Sequence, residues 1–500
     1  MGRQQQAASY RGYRTAGIRL TEELEPDLAP HRERARTPEA RGSREFNLAH
    51  VVMLAERELL SPPHAAALLS TLREQAQAGE GGLHADETAL IRALGEDVGG
   101  RLHLGRSSGD VGGVRLRWAL RESILDLVDA LNTLRGSLLR QGRAHIHTVM
   151  PGYTQGQHAQ PTTFGHWLSM WANVAERDAR RFTDGYRDVD RSPAGAAILA
   201  GTSAPIDRQR TSDLLGFAEP LPHTFDAIQS HDTVVEVAGA LANHLAGLSR
   251  FAGDLMLWSS AEFGFLRFPD RFCGTSSVMM QKRNPYLLAQ ARELAARAAA
   301  AHGTALRLSA DPTGWSVLEW SALHGELLDV FAEAATRLGQ LARLIDATTV
   351  YADRMAAAAA AHWAQATDVA MALVEWHGIA WRTAHQIVGI LVRHSEEQGW
   401  TPPELANEHL RAAAAEYFDR PLDLPEDVLA AAKDPASSVA ARTVLGGPAP
   451  EPALSELDQL SGGLARDRDW AAGRRAALRD ADERRHAAAD AVIADGSRHV

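Results

Sequence analysis

The sequence contains almost no cysteine and few aromatic residues. Cys273 is the one cysteine among 500 residues, so the chain cannot form an internal disulfide bond. Aromatic residues make up 6% of the chain, whereas alanine, leucine, arginine and glutamate recur throughout. Because these frequent residue types have high helix propensity, the composition favours helices over sheets.

Long apolar runs and dense basic blocks are also missing. The apolar stretch 234–258 is interrupted by Glu236, Arg250 and Asp254, so it is not a predicted membrane span. The formal net charge is −11, and no Lys/Arg block is long enough to form a nucleic-acid interface. Residues 1–19 lack the apolar core of a secretory signal. We therefore expect a cytoplasmic protein that binds neither nucleic acid nor membrane.

Helical periodicity is the main structural signal that the sequence does contain. Hydrophobic residues make up 45% of the 500 residues, which is enough to bury a large core. Apolar residues recur at steps of three and four through residues 122–141, as in a helix that faces a core. A second stripe runs through residues 225–259 without a proline, which predicts one helix of about 35 residues in a bundle. The predicted fold class is all-α.

We divide the chain into four predicted regions. Residues 1–110 form an N-terminal arm and helical domain, in which the polar segment before about residue 47 is expected to be extended or partly ordered. Residues 111–350 form a central long-helix bundle domain, and residues 351–455 form a small C-terminal helical domain. Residues 456–500, rich in Ala, Arg, Asp and Glu, form a charged C-terminal helix or tail.

Glycine and proline concentrate in three turn-rich stretches, 95–113, 147–161 and 271–285. Each of these stretches adjoins a predicted long helix. Loops that are held on rigid helices can present polar groups that helix interiors cannot. We therefore expect the functional residues in these stretches, although the three are far apart in the sequence.

The third stretch contains the segment GTSSVMMQKRNP. Asn284 can cap a helix and Pro285 fits the first turn, so we expect a helix to begin at Pro285. The positive end of that helix and the ammonium group of Lys282 would together attract a carboxylate. Ser276 and Ser277 lie beside this anion site, and a serine hydroxyl acts as a base only in such cationic surroundings. An ordinary loop with a helix cap is the alternative that spacing alone leaves open.

This segment resembles the GSSxMPxKxNP signature of the fumarase/aspartase superfamily, and flanking segments resemble argininosuccinate lyases in particular. Seven such segments follow the family's order between about residues 45 and 452: EDVGGRLHLGRSSGD, TVMPGYTQGQHAQPTTFGH, AGTSAPIDRQR, FDAIQSHDTVVE, LWSSAEFGF, ATDVAMALVEWHGIAWRTAHQIVG and DPASSVAARTVLGGPAPEPA. The resemblance implies a homotetramer with a twenty-helix core, whose active sites combine loops from three chains. It also implies reversible β-elimination of an amine from an N-substituted succinate to give fumarate, without a metal or an organic cofactor.

The resemblance further assigns roles to individual residues. Ser276 would be the base that removes the Cβ proton, while Lys282 and Asn284 would hold the carboxylate on which negative charge develops. Because a proton beside a carboxylate is very weakly acidic, this charge must be stabilised electrostatically. The other substrate-binding residues would be Arg106, Ser107, Thr154, Gln157, Ser277 and His223, the last of which replaces an asparagine of the family.

One departure from the family affects the leaving group. Argininosuccinate lyases carry a histidine at the position of Gln155, as the general acid for the leaving group. Loss of a positioned acid typically costs about 10²- to 10⁴-fold in rate, unless the leaving nitrogen needs no proton. A substituted ammonium is already protonated, and aspartases resemble this chain in having Thr-Gln-x-Gln here, so we count Gln155 as catalytic. His158 is an alternative acid, although we favour a structural role for it in the turn.

Other departures affect the amine side of the substrate. At the position of Gly109 the family has an amide side chain that contacts the substrate. The stretch 312–320, PTGWSVLEW, lacks the tyrosine, lysine and glutamine with which the family binds the amino-acid end of argininosuccinate. A buried guanidinium or α-amino group would lose hydrogen bonds there, at about 1–3 kcal/mol each. Met280 replaces the signature proline, which predicts a less rigid loop. Argininosuccinate itself is therefore not the expected substrate.

The sequence predicts an argininosuccinate-lyase-like carbon–nitrogen lyase that separates or joins fumarate and an amine other than arginine. Its expected partners are a fumarate or succinyl-amine substrate and further copies of the chain in a homotetramer. The alternatives are a true argininosuccinate lyase and an inactive family member with a structural or binding role. We expect no cofactor and no metal, because no histidine pairs with a second ligand at helix or zinc-finger spacing.

Overall fold

The computed structural model describes residues 22, 37–78, 85–314, 318–418 and 420–498. The α-helices of these residues are α1 Thr37–Glu56, α2 Pro62–Ala78, α3 Ala85–Leu94, α4 Glu96–Gly99, α5 Ser108–Ala144, α6 Phe164–Val189, α7 Arg208–Leu214, α8 Thr224–Gln229, α9 Asp232–Trp258, α10 Tyr286–Ser309, α11 Leu318–Ala347, α12 Ala352–Ala360, α13 Ala366–His377, α14 Trp381–Gln398, α15 Asn407–Phe418, α16 Glu426–Lys433, α17 Pro435–Ala440 and α18 Pro450–Gly496. The predicted all-α class is confirmed.

Short strands pair at three places beside the helices. The strands are β1 Val149–Thr154, β2 Gln157–Thr163, β3 Arg191–Ser192, β4 Glu219–Pro220, β5 Leu266–Arg267 and β6 Thr349–Val350. β1 and β2 form an antiparallel hairpin, β3 and β4 pair in parallel, and β5 and β6 pair antiparallel. None of the described helices has the length and apolar character needed to cross a membrane.

The bundle at the centre of the molecule consists of α5, α6, α9, α10 and α11. The six apolar residues of the stripe predicted in residues 122–141 all face its core: Ile124, Leu127, Val128, Leu131, Leu134 and Leu138 are at most 3% exposed. α5 is nevertheless longer than that stripe, because a cap at Ser107 starts it well before residue 122. Burial of each such side chain stabilises the fold by about 1.5–3 kcal/mol.

Two expectations about helices are wrong. The single helix predicted over residues 225–259 is two helices, because Ser230 is extended and α9 begins only after His231, with Asp232 in its first turn. The extended arm predicted before residue 47 already lies in α1 from Thr37 onward, where Phe46 and its neighbours are buried. Residues 1–21 and 23–36 of that arm lie outside the described residues.

Three large clusters of buried apolar side chains lie in the N-terminal helices, in the bundle and in residues 369–432. α18 joins two of them. Leu457, Leu460 and Leu464 belong to the bundle cluster, and Ala489 belongs to the N-terminal cluster. With a rise of 1.5 Å per residue, the 47 residues of α18 span about 70 Å. The four predicted domain boundaries stay predictions, since α18 packs across more than one of these clusters.

A buried arginine fastens the far end of α18 to the first helix. Arg485 has no exposed side-chain area and donates hydrogen bonds to Glu45 (2.8 Å), to the carbonyl oxygen of Leu214 (3.0 Å) and to Asp482. Its guanidinium group also lies 5.4 Å from the centroid of the Trp118 ring. Removal of Arg485 would leave the 12%-exposed side chain of Glu45 without its buried cation.

We expect Arg485→Ala to lower the free energy of unfolding by about 3–5 kcal/mol, because the variant leaves a buried carboxylate uncompensated. Urea unfolding followed by circular dichroism measures the change. Arg484→Ala, at an exposed neighbouring position of α18, is the matched control and should stay within about 0.5 kcal/mol of the parent. Equal stabilities of the two variants would show that α18 is not docked on α1.

Candidate active site

The second turn-rich stretch forms the β1–β2 hairpin directly after α5. Thr154 pairs with Gln157, so that Gln155 and Gly156 form a two-residue turn. Both turn residues have positive φ, 53° for Gln155 and 75° for Gly156, as a type I′ turn requires. Thr154, Gln155 and Gln157 are all exposed at the tip. The hairpin therefore presents the three predicted site residues together.

His158 lies on the opposite face of this hairpin. Cross-strand partners share one face of a ribbon and successive pairs alternate, so Tyr153 and His158 face away from Thr154 and Gln157. The His158 ring centroid is 5.1 Å from that of Tyr153 and 4.8 Å from that of His362. Burial and the neighbouring His362 lower the pKa of His158. This geometry favours a structural role for His158 over that of a replacement acid.

Residues 275–283 form the signature loop, whose base is closed by a single β-bridge. The backbone groups of Gly274 and Asn284 exchange two hydrogen bonds of 2.8 Å. A Cβ atom on Gly274 would lie 1.8 Å from the Tyr286 ring, so this close approach requires glycine. The Tyr286 hydroxyl and the Asn284 amide also donate to the carbonyl oxygen of Thr275, at 3.1 and 3.4 Å. The base of the loop is therefore held firmly.

Ser276 occupies a turn inside this loop. Its hydroxyl oxygen accepts hydrogen bonds from the backbone N–H groups of Val278 (3.3 Å) and Met279 (3.1 Å). Two such donors favour a negatively charged oxygen over a neutral one. The same geometry occurs in ordinary serine turns, so these two bonds are compatible with a base without requiring one.

Two adjacent cations of the loop point in different directions. Arg283 turns inward, where it pairs with Asp270 and donates to the carbonyl oxygen of Phe268 at 2.8 Å. Lys282 is exposed, and its ammonium group makes no hydrogen bond or ion pair with the residues that the structure describes. Lys282 therefore remains available to a ligand, together with the exposed Ser277.

The helix after the loop begins one residue later than expected. α10 starts at Tyr286, and Pro285 occupies the cap position without a side-chain hydrogen bond. The expectation that Asn284 caps this helix is wrong, because its side-chain amide turns back to Thr275. The first N–H groups of α10 still lie within four residues of Lys282, so the positive end of the helix dipole stays beside the cation.

Arg106, Ser107 and His223 lie together around the start of α5. The Ser107 N–H and hydroxyl donate to the Asp110 carboxylate at 2.7 and 2.9 Å, which forms a capping box for α5. His223 caps α8, where its ring nitrogen accepts the Asp226 N–H at 3.4 Å. Arg106 is buried, with its guanidinium group 5.1 Å from the Phe46 ring. Two of these three predicted substrate-binding residues, Ser107 and His223, therefore already cap helices within the chain.

The bundle separates these residues into two groups. α5 rises about 1.5 Å per residue, so its 37 residues place Ser107 about 55 Å from the hairpin. The signature loop lies at the hairpin end, since Tyr153 of the hairpin contacts Phe263 just after α9, with ring centroids 5.9 Å apart. One chain thus brings the hairpin and the signature loop to one end and places Arg106, Ser107 and His223 at the other.

The structure also contains a cavity that the sequence analysis did not identify. It has a volume of about 700 Å³ and lies between the first turn of α9 and the last turn of α10. His231 and Trp320 stack in its wall with ring centroids 4.0 Å apart. Of the replaced amine-side stretch 312–320, Trp320 is buried, whereas residues 315–317 lie outside the described residues. No local sequence signal marks this cavity, because its lining comes from segments about 80 residues apart in the chain.

One group of described residues has the geometry of a metal site. Glu45, Asp482 and His486 offer ligand atoms within 4.8 Å of one another. Arg485, however, already binds both carboxylates and supplies the positive charge that a metal ion would bring. We therefore assign no metal to this group.

Comparisons with known proteins place these features in context. A family model described as Lyase matches residues 74–300, and one described as Argininosuccinate lyase C-terminal matches residues 363–440. The chain is 35% identical over 455 residues to an argininosuccinate lyase of Methanoculleus marisnigri, which covers 89% of this chain and 91% of that protein. It is 35% identical over 460 residues to an argininosuccinate lyase of Haloarcula marismortui, with coverages of 89% and 90%.

Solved structures show the same likeness in three dimensions. The structure of EDDS lyase in complex with formate superposes with a TM-score of 0.90 at 28% identity, covering 96% of this chain and 98% of that chain. An EDDS lyase variant with bound fumarate matches equally well. A 3-carboxy-cis,cis-muconate lactonizing enzyme of Pseudomonas putida, at 19% identity and a TM-score of 0.68, shares the fold.

We expect Gly274→Ala to open the base of the signature loop, since the added methyl group would overlap the Tyr286 ring. Trypsin should then cleave after the exposed Lys282 at least about ten-fold faster than in the parent, because local opening governs proteolysis. Gly112→Ala is the control, as a Cβ atom there meets nothing within 4 Å. Equal cleavage rates for all three proteins would show that the β-bridge does not restrain the loop.

Proposed function

Because the chain belongs to the fumarase/aspartase superfamily, as a homologue of argininosuccinate lyases, we propose that it catalyses reversible β-elimination of an amine from an N-substituted succinate. It is a carbon–nitrogen lyase. The proposed products are fumarate and an amine other than arginine. The observation that carries the proposal is the signature loop, where the Ser276 oxygen accepts two backbone N–H groups and the ammonium group of Lys282 lies exposed.

Removal of the proton is the first task of the proposed reaction. Ser276 takes the Cβ proton, and the Val278 and Met279 N–H groups stabilise its oxygen before that step. Lys282 and the start of α10 hold the neighbouring carboxylate, on which negative charge develops. The Asn284 amide donates one proton to Thr275 and has a second available for the same carboxylate.

Departure of the nitrogen is the second task. The electrons of the broken Cβ–H bond form the carbon–carbon double bond, and the carbon–nitrogen bond breaks with its electrons on nitrogen. A nitrogen that is already an ammonium leaves as a neutral amine without a proton donor. Gln155 at the hairpin tip cannot donate a proton as an acid, and it is therefore suited to orienting such an ammonium group through its amide oxygen.

We also propose a homotetramer in which each active site combines several chains. The hairpin and the signature loop of one chain lie about 55 Å from Ser107 of the same chain, a distance set by α5. A substrate the size of a succinyl-amine cannot bridge that gap. Another copy of the chain can supply Arg106, Ser107 and His223 to the same site.

Cleavage of argininosuccinate is the second candidate function. This function is favoured because the two relatives at 35% identity are argininosuccinate lyases. Gln155 disfavours this function, because argininosuccinate lyases have a histidine at its position. Trp320 also disfavours it, since this buried ring stacks on His231 in the stretch where the family has polar side chains that bind the substrate. The fumarate bound to the EDDS lyase variant supports fumarate as the shared product in either case.

Incubation of the protein with fumarate and a panel of amines tests the proposal, because addition of an amine removes the ultraviolet absorbance of fumarate. We expect loss of fumarate with at least one amine other than arginine. Ser276→Ala should lower kcat/KM by about 10²- to 10⁴-fold with the oligomer intact, as expected for loss of a positioned base. Thr304→Ala, at an exposed position of α10, is the control and should keep full activity.

One result would contradict this function, and another would contradict only the assignment of the base. If no amine consumes fumarate, and neither argininosuccinate, aspartate nor an N-alkylaspartate releases it, the chain is an inactive family member. If Ser276→Ala retains turnover, another group is the base.

Mixed oligomers test the composite site. We expect Arg106→Gln and Ser276→Ala to be inactive as separate, native-sized oligomers, as light scattering can verify. After the two are unfolded and refolded together in equal amounts, about a quarter of the sites would contain both intact groups if different chains supply them. Activity should therefore return in the mixture. Mixed oligomers without activity would show that one chain supplies both groups.

A further inference from the structure

The short segment 196–201 contains two residues with an unusual backbone conformation. Ala197 has a φ of 47°, and Ile198 has a φ of 76° with a ψ of −40°. The angles of Ile198 are close to those of a γ-turn that is rare and strained. Positive φ is uncommon for residues other than glycine, and it is a genuine outlier for a β-branched side chain such as isoleucine. The chain therefore carries Ile198 here against its backbone preference.

Hydrogen bonds from the surrounding structure hold segment 196–201 in this conformation. The N–H of Ala197 donates to the Asp110 carboxylate at 3.1 Å. The N–H of Gly201 donates to the carbonyl oxygen of Ala196 at 2.9 Å. The Asp110 carboxylate also accepts the N–H and the hydroxyl group of Ser107 in the capping box of α5. One carboxylate thus fixes the strained segment to a predicted substrate-binding residue.

The strained backbone places the Ile198 side chain over the start of α5. A Cβ atom added to Gly109 would lie 2.6 Å from the Cδ1 atom of Ile198 and 3.3 Å from the Oγ atom of Ser107. The Ile198 side chain therefore ends close to the Ser107 hydroxyl group. Ile228 borders the same space, with its Cγ2 atom 3.6 Å from that Cβ position. The surface beside Ser107 is therefore apolar.

His223 lies on the other side of segment 196–201. A Cβ atom added to Gly201 would lie 3.8 Å from the Thr224 side chain, and Thr224 follows His223 as the first residue of α8. Segment 196–201 therefore lies between two predicted substrate-binding residues, Ser107 and His223. A ligand that contacts both of them also contacts this segment.

Burial does not account for the strain at Ile198. The residue is 39% exposed, so a large part of its side chain contributes no burial to the fold. Strained backbone conformations cluster at functional sites, where the surrounding structure compensates for their cost. A strained, partly exposed isoleucine between two predicted site residues has the properties of a residue that contacts a ligand.

The chemistry of Ile198 limits which part of a substrate can lie against it. A carboxylate that loses water beside an alkyl side chain gains no hydrogen bond in return, which is unfavourable. The buried carboxylate of Asp110, which is bonded to segment 196–201, would also repel it. Neither carboxylate of a succinyl group therefore fits here. The remaining part of the proposed substrate is the carbon substituent on its amine nitrogen.

We propose that Ile198 is a specificity-determining residue that contacts the substituent on the amine nitrogen of the substrate. The proposal rests on the proposed function and narrows its substrate class to amines that carry an alkyl or aryl group. In the composite site, Ile198 comes with Ser107 and His223 from a different chain than the signature loop.

Calorimetric titration of the Ser276→Ala variant tests binding without turnover. We expect N-butylaspartate to bind at least about ten-fold more tightly than N-methylaspartate, because its longer alkyl group contacts Ile198. Adding Ile198→Thr, which keeps the β-branch but introduces a hydroxyl group, should lower this preference to about two- to three-fold. Val444→Thr, the same change at an exposed position of the C-terminal region, is the matched control and should keep the full preference.

Ile198→Gly separates a functional role from a structural one. Glycine adopts positive φ without strain, so this variant should unfold at a urea concentration no lower than that of the parent. The preference for N-butylaspartate should nevertheless be lost. A lower urea midpoint together with an unchanged preference would show that Ile198 only fills space in the fold, and the proposal would then be wrong.

Consumption of fumarate by the parent protein, measured with butylamine and methylamine, separates this proposal from the lyase assignment. If both amines react and the two aspartate derivatives bind equally well, the Ile198 proposal is wrong while the lyase function stands. If the preference for N-butylaspartate depends on Ile198 but no amine consumes fumarate, the lyase function is wrong and the apolar site remains. If neither derivative binds and no amine reacts, both assignments fail.

Discussion

The unbroken length of α5 is the constraint on which the arrangement of the candidate site depends. Its capping box starts the helix at Ser107, and a buried apolar stripe holds its 37 residues in the bundle core. A packed helix of this length does not bend enough to bring its ends together. The proposed base Ser276 and the proposed substrate-binding residue Ser107 therefore lie at opposite ends of one subunit, and the proposed site requires another copy of the chain.

α10 gives the two ends of the bundle opposite electrostatic character. Its first N–H groups lie beside Lys282, where the substrate carboxylate would bind, and its last carbonyl groups lie beside Asp311 in the cavity between α9 and α10. One helix dipole thus favours an anion at one end and a cation at the other.

The sequence predicted the parts that depend on local chemistry. The stripe of α5 and the three turn-rich stretches were visible because helical periodicity, glycine and proline are local signals. The break at Ser230 was missed because the apolar pattern continues through it. The packing of α18 was missed because its buried face includes small residues such as Ala471 and Ala481, which leave a weak stripe. The cavity between α9 and α10 was not predictable, since its lining comes from segments about 80 residues apart, from Gln229 to Pro312.

The return of α18 to the first helices has a consequence for biosynthesis. Glu45 and Arg485, which are 440 positions apart in sequence, meet in the finished fold, and Ala489 completes the apolar cluster of the N-terminal helices. The ribosome synthesises the chain from its amino end, so the packing of these early helices is complete only after Arg485 and Ala489 have been synthesised. Most of the chain is therefore made before the amino-terminal helices reach their final packing.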